Sequence, residues 1–289
     1  MGSDGPAAVA DVHDAEGGGV ILAVIDLDIS PWSLASAYLL LVFPLGLMLW
    51  WRLPLIGKMT TAVLRMTVQL LLVGLYLEVV FAINDPLLNL AWLAVMIGVA
   101  DVSIVRGTRL RLGRFVLPLF IALVVGTVIP LMVFIGLVAQ ADNLLDAPLL
   151  IPIGGMVLGN CMRANIVGVR AFYESLRQRQ GHYLQALGQG ATRAEATRPF
   201  MREAAEAALA PTIATIATIG LVFLPGMMTG VILGGEDPFV AVKYQIAIML
   251  AIFSGTAITI CLVIVLTAGR CFDAAGMLDL SIYKDTPHD

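Results

Sequence analysis

FVLPLFIALVVGTVIPLMVFIGLV, residues Phe115 to Val138, is an apolar run without a single charged side chain. A helix that crosses a bilayer needs about 20 such residues, because in hydrocarbon every backbone N–H and C=O must be satisfied within the segment. The run is too long for a strand and too uniformly apolar for a helix with one wet face. It decides the fold, because such a segment belongs in lipid.

Six further stretches are long and mostly apolar, four of them with one or two charged residues: Trp32 to Trp51, Thr61 to Ile83, Pro86 to Val105, Leu149 to Phe172, Leu209 to Leu233 and Val242 to Gly269. Composition agrees, with 59% hydrophobic and 13% charged residues among 289, where a soluble domain carries about 25% charged residues. The expected fold is an all-α membrane protein, a bundle of about seven transmembrane helices.

Connecting loops sort by charge, and loops rich in Lys and Arg stay in the cytoplasm. Arg52 and Lys58 fall inside, as do Arg106, Arg109, Arg111 and Arg114, then Arg177, Arg179, Arg193, Arg198 and Arg202, and finally Arg270 and Lys284. Between them Asp85, Asp142 with Asp146, and Glu236 with Asp237 fall outside; Lys243 is the exception. The alternation predicts an outside N-terminus and a cytoplasmic C-terminus. Residues 1–31 read as an acidic, loosely ordered tail, without the basic start of a signal peptide. Residues 32–270 form the transmembrane domain and 271–289 a cytoplasmic tail.

Several chemistries are excluded. No GxxxxGK[ST] loop occurs, so the chain is not expected to bind ATP itself, and neither HExxH nor GxSxG is present. His13, His182 and His288 all lie outside the spans, and Cys161, Cys261 and Cys271 form no CxxC pair. Net charge is -4, which argues against nucleic acid. The chain is expected not to be an enzyme and to hold no cofactor; any metal ligands are left open.

The long interior connection, residues 173–208, places Leu184, Ala186, Leu187 and Gly188 on a short helix. Gly190 and Ala191 then lead to Thr192, which with Glu195 three positions on makes a capping box for a second helix. This order of short helix, glycine and second helix resembles the coupling segment of ABC-transporter permeases. The resemblance implies that residues 184–192 meet an ATP-binding cassette subunit, which holds ATP and Mg; the alternative is an ordinary amphipathic surface helix.

The resemblance sharpens at Ile151-Pro152-Ile153-Gly154-Gly155-Met156-Val157-Leu158-Gly159-Asn160 and at Leu224-Pro225-Gly226-Met227-Met228-Thr229-Gly230. Both are similar to signatures of the bacterial iron-export permeases of the Fet type, related to plant aluminium-sensitivity permeases. Asp237-Pro238 and Ala241-Val242-Lys243-Tyr244-Gln245 also match, whereas Cys161 and Val231 depart from the pattern. The likeness runs from about Trp32 to Arg270. It implies an ABC complex in a bacterial inner membrane, with a role in metal efflux.

Physical chemistry singles out the same residues. Pro225, Gly226 and Gly230 weaken or break the sixth span in its outer half, and irregular backbone at membrane depth survives only where it is buried or lines a cavity. Met227, Met228 and Thr229 therefore belong beside a pathway or gate. Thioethers favour soft Cu(I) over iron, so packing is preferred to metal ligation for the two methionines. Met156, Asn160 and Arg163 share a face of the fifth span, where Gly154, Gly155 and Gly159 admit a neighbouring helix; pathway and helix interface are both open readings.

Ionisable groups within spans face protein or water. Arg65 and Gln69 lie one turn apart, with Tyr76 further along the same face. Arg65 and Asp101 are expected to form a structural ion pair. Glu78 either attracts a departing cation or reaches for the interface.

Together these features predict a permease subunit, paired with a second copy in the bilayer and with two ATPase subunits. The rival is a secondary transporter or channel without an ATPase; an embedded enzyme or scaffold ranks last.

Overall fold

Four of the spans begin behind a polar residue and a proline: Ser30-Pro31, Asp85-Pro86, Asp146-Ala147-Pro148 and Asp237-Pro238. Proline presets helical φ where no N–H partner is needed, and at Ser30, Asp85 and Asp237 the polar side chain takes an orphan donor, whereas at Asp146 the Asn84 side chain accepts from the Ala147 amide instead. Asp85 accepts from the amides of Leu87 and Leu88, both at 2.9 Å, and Asp237 from that of Phe239 at 2.6 Å.

The computed structural model describes residues 30–108, 112–269 and Phe272. The acidic segment 1–29, Arg109, Arg111, Arg270, Cys271 and the tail from 273 onward with Lys284 lie outside the described residues. Helices α1 (Pro31–Ala37) and α2 (Val42–Trp50) run on through one tight turn as a first span. Then follow α3 (Ile56–Ile83), α4 (Pro86–Thr108), α5 (Leu112–Val133) with a wide last turn to Val138, and α6 (Ala147–Gln178). Short α7 (Gln180–Gly188) precedes α8 (Arg193–Thr218), α9 (Gly226–Leu233) and α10 (Pro238–Ala268). The described residues form an all-α protein with 6 helical segments long and apolar enough to cross a membrane.

The expected sixth span, Leu209 to Leu233, is not one helix. It is divided between the end of α8 and α9, with residues 219–225 as a loop between them. Ile219 turns extended, Gly220 takes φ +82°, which only glycine adopts without strain, and Pro225 precedes α9. Neither the apolar part of α8 beyond Glu206 nor the eight-residue α9 is among the six segments able to cross a membrane, so the expected sixth of seven spans is replaced by a helix broken at 219–225.

Helices α4, α5, α6 and α10 make the core, with α8 against α6 and α10. Close approach depends on glycines that the sequence reading passed over. A Cβ on Gly126 of α5 would lie 2.1 Å from Thr259 Oγ1, and one on Gly255 of α10 would lie 2.6 Å from the Gly126 carbonyl. Gly168 of α6 is equally filled, by Ile260 at 2.5 Å and Ala208 at 2.8 Å. Gly154 and Gly155 do face neighbours, at 3.1–3.2 Å, but Gly159 faces open space.

The N-terminal spans stand apart. Residues Pro31–Trp50 are unburied, and α3 touches the bundle through Tyr76, Leu77 and Val80, with Tyr76 stacked on Trp92 at 4.1 Å. This geometry overturns the expected ion pair. Arg65 lies on the half of α3 away from those contacts, in an open groove with Lys58, Thr61 and Gln69, whereas Asp101 is 1% exposed inside the bundle with Oδ1 unpartnered. Lys243, the exception to the charge alternation, lies 4.9 Å from the centre of the Phe239 ring one turn earlier, a contact that shelters its charge.

Candidate functional site

A cavity of about 560 Å³ opens beside the break in the α8–α9 span. Its walls come from α6, α8, the 219–225 loop, the start of α9 and α10. Met156, Asn160, Arg163, Pro225, Gly226 and Met227, named from two distant motifs, all line it. The structure thereby joins those motifs into one site.

Asn160 organises the polar side. Its Nδ2 donates to the Met156 carbonyl at 2.8 Å, leaving Oδ1 to accept from Arg163 Nη2 at 3.1 Å. The guanidinium is thus steered while most of its donors stay available. Opposite stand Thr212 and Thr215 of α8 and Gln245 and Met249 of α10, none of which the sequence reading placed in a pathway. Gln245 is 7% exposed and its Oε1 has no partner. An uncompensated glutamine inside an apolar span was the signal available.

The remaining candidates separate. Met228 faces the other side of the break, in an apolar groove of about 390 Å³ with Ile246 and Leu250. Thr229 returns its hydroxyl to the Pro225 carbonyl at 3.2 Å, and Gly230 and Thr229 line neither space. Glu78, Arg65 and Gln69 sit on α3, away from the cavity, and Asp101 lies within the core. Among the described residues no group of three or more His, Cys, Asp or Glu side chains could hold a metal ion.

The α7–α8 segment is built as its sequence suggests. The Thr192 hydroxyl accepts from the Glu195 amide at 3.3 Å, and Glu195 Oε2 accepts from the Thr192 amide at 2.8 Å. The Thr192 hydroxyl also donates to Glu195 Oε2 at 2.7 Å, and that bond first, with the amide's second, holds the Glu195 carboxyl below its usual pKa. Gly190 alone carries the left-handed φ, +91°; Gly188 ends α7 in open space. Leu184, Ala186 and Leu187 pack against the core, and Ala191 donates back to the Ala186 carbonyl at 3.1 Å.

Two contacts tie this segment down. Tyr183 stacks on Phe272 at 5.0 Å, and the Arg193 guanidinium lies 5.5 Å from the same ring, so the end of the α10 segment clasps α7 and α8. Replacing Phe272 with alanine is expected to expose α7 and speed trypsin cleavage after Arg177 and Arg179 several-fold; an unchanged digestion rate would contradict the clasp.

On the other side Glu203 accepts from the Arg179 guanidinium and the Ser175 hydroxyl. Both lower its pKa, the Arg179 hydrogen bond most. A depressed carboxylate adds stability above its unfolded pKa and loses it as pH falls through the folded one. Hydrogen exchange in α7 and the start of α8 should therefore quicken below about pH 4. The Glu203→Gln variant should lose that dependence; an equally steep response would rule the pair out.

A broken helix, a mainly apolar cavity with a few polar side chains at the break and six segments able to cross a membrane are features of a multi-pass membrane protein. The family model described as "Uncharacterised protein family (UPF0014)" matches residues 31–272. The chain belongs to that family. It is 31% identical over 257 residues to the "Probable iron export permease protein FetB" of Escherichia coli (strain K12), covering 87% of this chain and 96% of that protein. It is 33% identical over 232 residues to a UPF0014 membrane protein of Synechocystis sp., covering 80% and 88%. "Protein ALUMINUM SENSITIVE 3" of Arabidopsis thaliana is 30% identical over 203 residues, covering 68% and 71%. No solved structure matches the chain.

Proposed function

We propose that this chain is the membrane-spanning subunit of an ABC exporter, without catalytic residues of its own, moving iron or another metal with ATP hydrolysed on a separate subunit. One observation carries the reading. Helix α8 starts at the glycine turn beside α7 and continues as one helix, through Pro199 and Pro211, to the cavity wall, so displacement of α7 reaches the cavity along a single element. An ATPase subunit pressing on residues 184–192 would use that route. The similarity to a protein named as an iron export permease supports the cargo, and the bacterial relatives support an inner-membrane location.

A second copy completes the arrangement. Arg163 is exposed on the face of one chain, and a charge part-way through a bilayer does not face hydrocarbon. Pairing about a two-fold axis closes that face around water, and the same symmetry brings two ATPase subunits together.

The test is ATP-driven metal movement in vesicles holding the chain and its ATPase. ATP-dependent iron transport is expected; failure of any ATPase to assemble with the chain would overturn the reading. One observation favours the secondary-transporter alternative: the buried, unpartnered carboxylate of Asp101 is the kind of group a proton-coupled carrier uses. Under the ABC reading Asp101→Asn keeps ATP-driven transport within about twofold, whereas a carrier loses proton-driven transport altogether.

A further inference from the structure

We propose that the cavity binds its cargo as an anion, so that metal enters as a complex with an oxygen-rich organic acid and not as a bare cation. The metal in this statement rests on the function proposed above; the anion site itself does not.

Three features of the cavity carry it. Among the described residues Arg163 is the sole ionisable one lining the space; no described aspartate, glutamate, histidine or cysteine joins it. A bare ferrous or ferric ion prefers oxygen or imidazole ligands and would meet a guanidinium and no counter-charge. Arginine instead presents a planar fork matched to carboxylate and phosphate. Its hydrogen bond from Nη2 to Asn160 holds that fork in place.

Backbone polarity points the same way. The break brings together the end of α8 and the start of α9, which carry opposite partial charges. The α8 end is partly quenched: the amide of Ile219 donates to the Thr215 carbonyl at 3.0 Å, and those of Leu221 and Val222 to the Thr218 carbonyl at 3.2 and 3.0 Å. The α9 start has no such closure, since its first returning amide is that of Thr229, to Pro225 at 3.0 Å. The amides of its first turn remain free for a ligand, and Pro225, Gly226 and Met227 lie in the cavity wall.

Gln245 supplies the independent sign of an occupant. It is more than nine-tenths buried, stands between the cavity and the apolar groove beside Met228, lining both, and leaves Oε1 unpaired. A carboxamide serves an organic acid doubly, donating to a carboxylate and accepting from a hydroxyl. The volume suits a small organic ligand. Met156, Met227 and Met249 also line the space; thioethers are soft ligands for Cu(I), which makes bare copper the competing occupant to test.

Equilibrium binding to the purified full-length chain in lipid nanodiscs separates these cases without any ATPase. The probes are radiolabelled ferric citrate, metal-free citrate, ferrous iron kept reduced, and copper(I). Ferric citrate is expected to bind, with affinity about ten- to hundredfold weaker in Arg163→Gln, as for loss of a charge-assisted hydrogen bond. Arg163→Lys should recover part of the loss, which shows that the variant folds, and Gln245→Ala should weaken binding while ferrous iron stays unbound. Metal-free citrate binding as tightly as ferric citrate, with the same Arg163 dependence, would support the anion site and count against the metal cargo. Ferrous iron or copper(I) binding alone, unchanged or tighter in Arg163→Gln, would overturn the proposal, as would no binding of either citrate form.

Discussion

Gly126→Leu is expected to prevent stable assembly of the bundle. A single added carbon there would stand 2.1 Å from Thr259 Oγ1 and 3.0 Å from the Gly255 carbonyl, both on α10. Thr259 has little room to retreat, because its hydroxyl is bonded to that carbonyl at 2.5 Å and it is wholly buried. The helices must separate, and overpacking of this kind costs about 3 kcal/mol or more. Thermal unfolding in detergent should show the loss as a melting point lower by several degrees or as failure to purify. Gly159→Ala is the control, since nothing stands within 4 Å of its added carbon. A Gly126→Leu protein as stable as the parent would mean that α5 and α10 do not meet there.

Gly190→Val is expected to separate ATP hydrolysis from transport in the complex proposed above. A β-branched residue at φ +91° is strained whatever the space around it, so the turn between α7 and α8 must rearrange. Transport should fall by about tenfold or more, the effect of one to two kcal/mol at a coupled step, while ATPase turnover persists. Gly188→Val should do much less, because that residue has an ordinary backbone and open surroundings. Equal losses in both variants, or coupling intact in Gly190→Val, would remove α7 from the transmission route.

How far the sequence could be read depended on the range of the interactions involved. The spans were legible because a lipid-crossing helix is a local requirement, and the capping box at Thr192 and Glu195 because it closes within one turn. The break in the sixth span was legible too, since Pro225 and Gly226 act on their own backbone. Contacts between helices were another matter. Gly126 and Gly255 meet across 129 positions of chain and carry no local mark, while Gly159 sits in a glycine-rich stretch and meets nothing. Arg65 and Asp101 share a depth but not a neighbourhood, because depth says nothing of how far α3 stands from α4.

The cavity was half visible. Its α6 and α9 walls were named from motifs, whereas on its α10 wall Gln245 was quoted only as the end of a matching stretch and Met249 lay in a span whose periodicity is apolar nearly all round. Gln245 is polar among apolar neighbours, yet only the fold shows which space it adjoins. Met227 and Met228, adjacent in sequence, proved to line different spaces beside the break, because successive positions on a helix point about 100° apart.

Pro211 gives α8 a property that a plain helix of 26 residues would lack. It stands in the cavity wall, where its ring removes one backbone hydrogen bond. The helix is about 39 Å long, so tilting it by about 10° about its Thr192 end would swing the far end by about 7 Å. A weak joint at Pro211 puts the bend in the last two turns. Pro199 is a second such joint near the start of the helix, so the stretch between the two prolines swings as one arm and delivers its motion at the cavity.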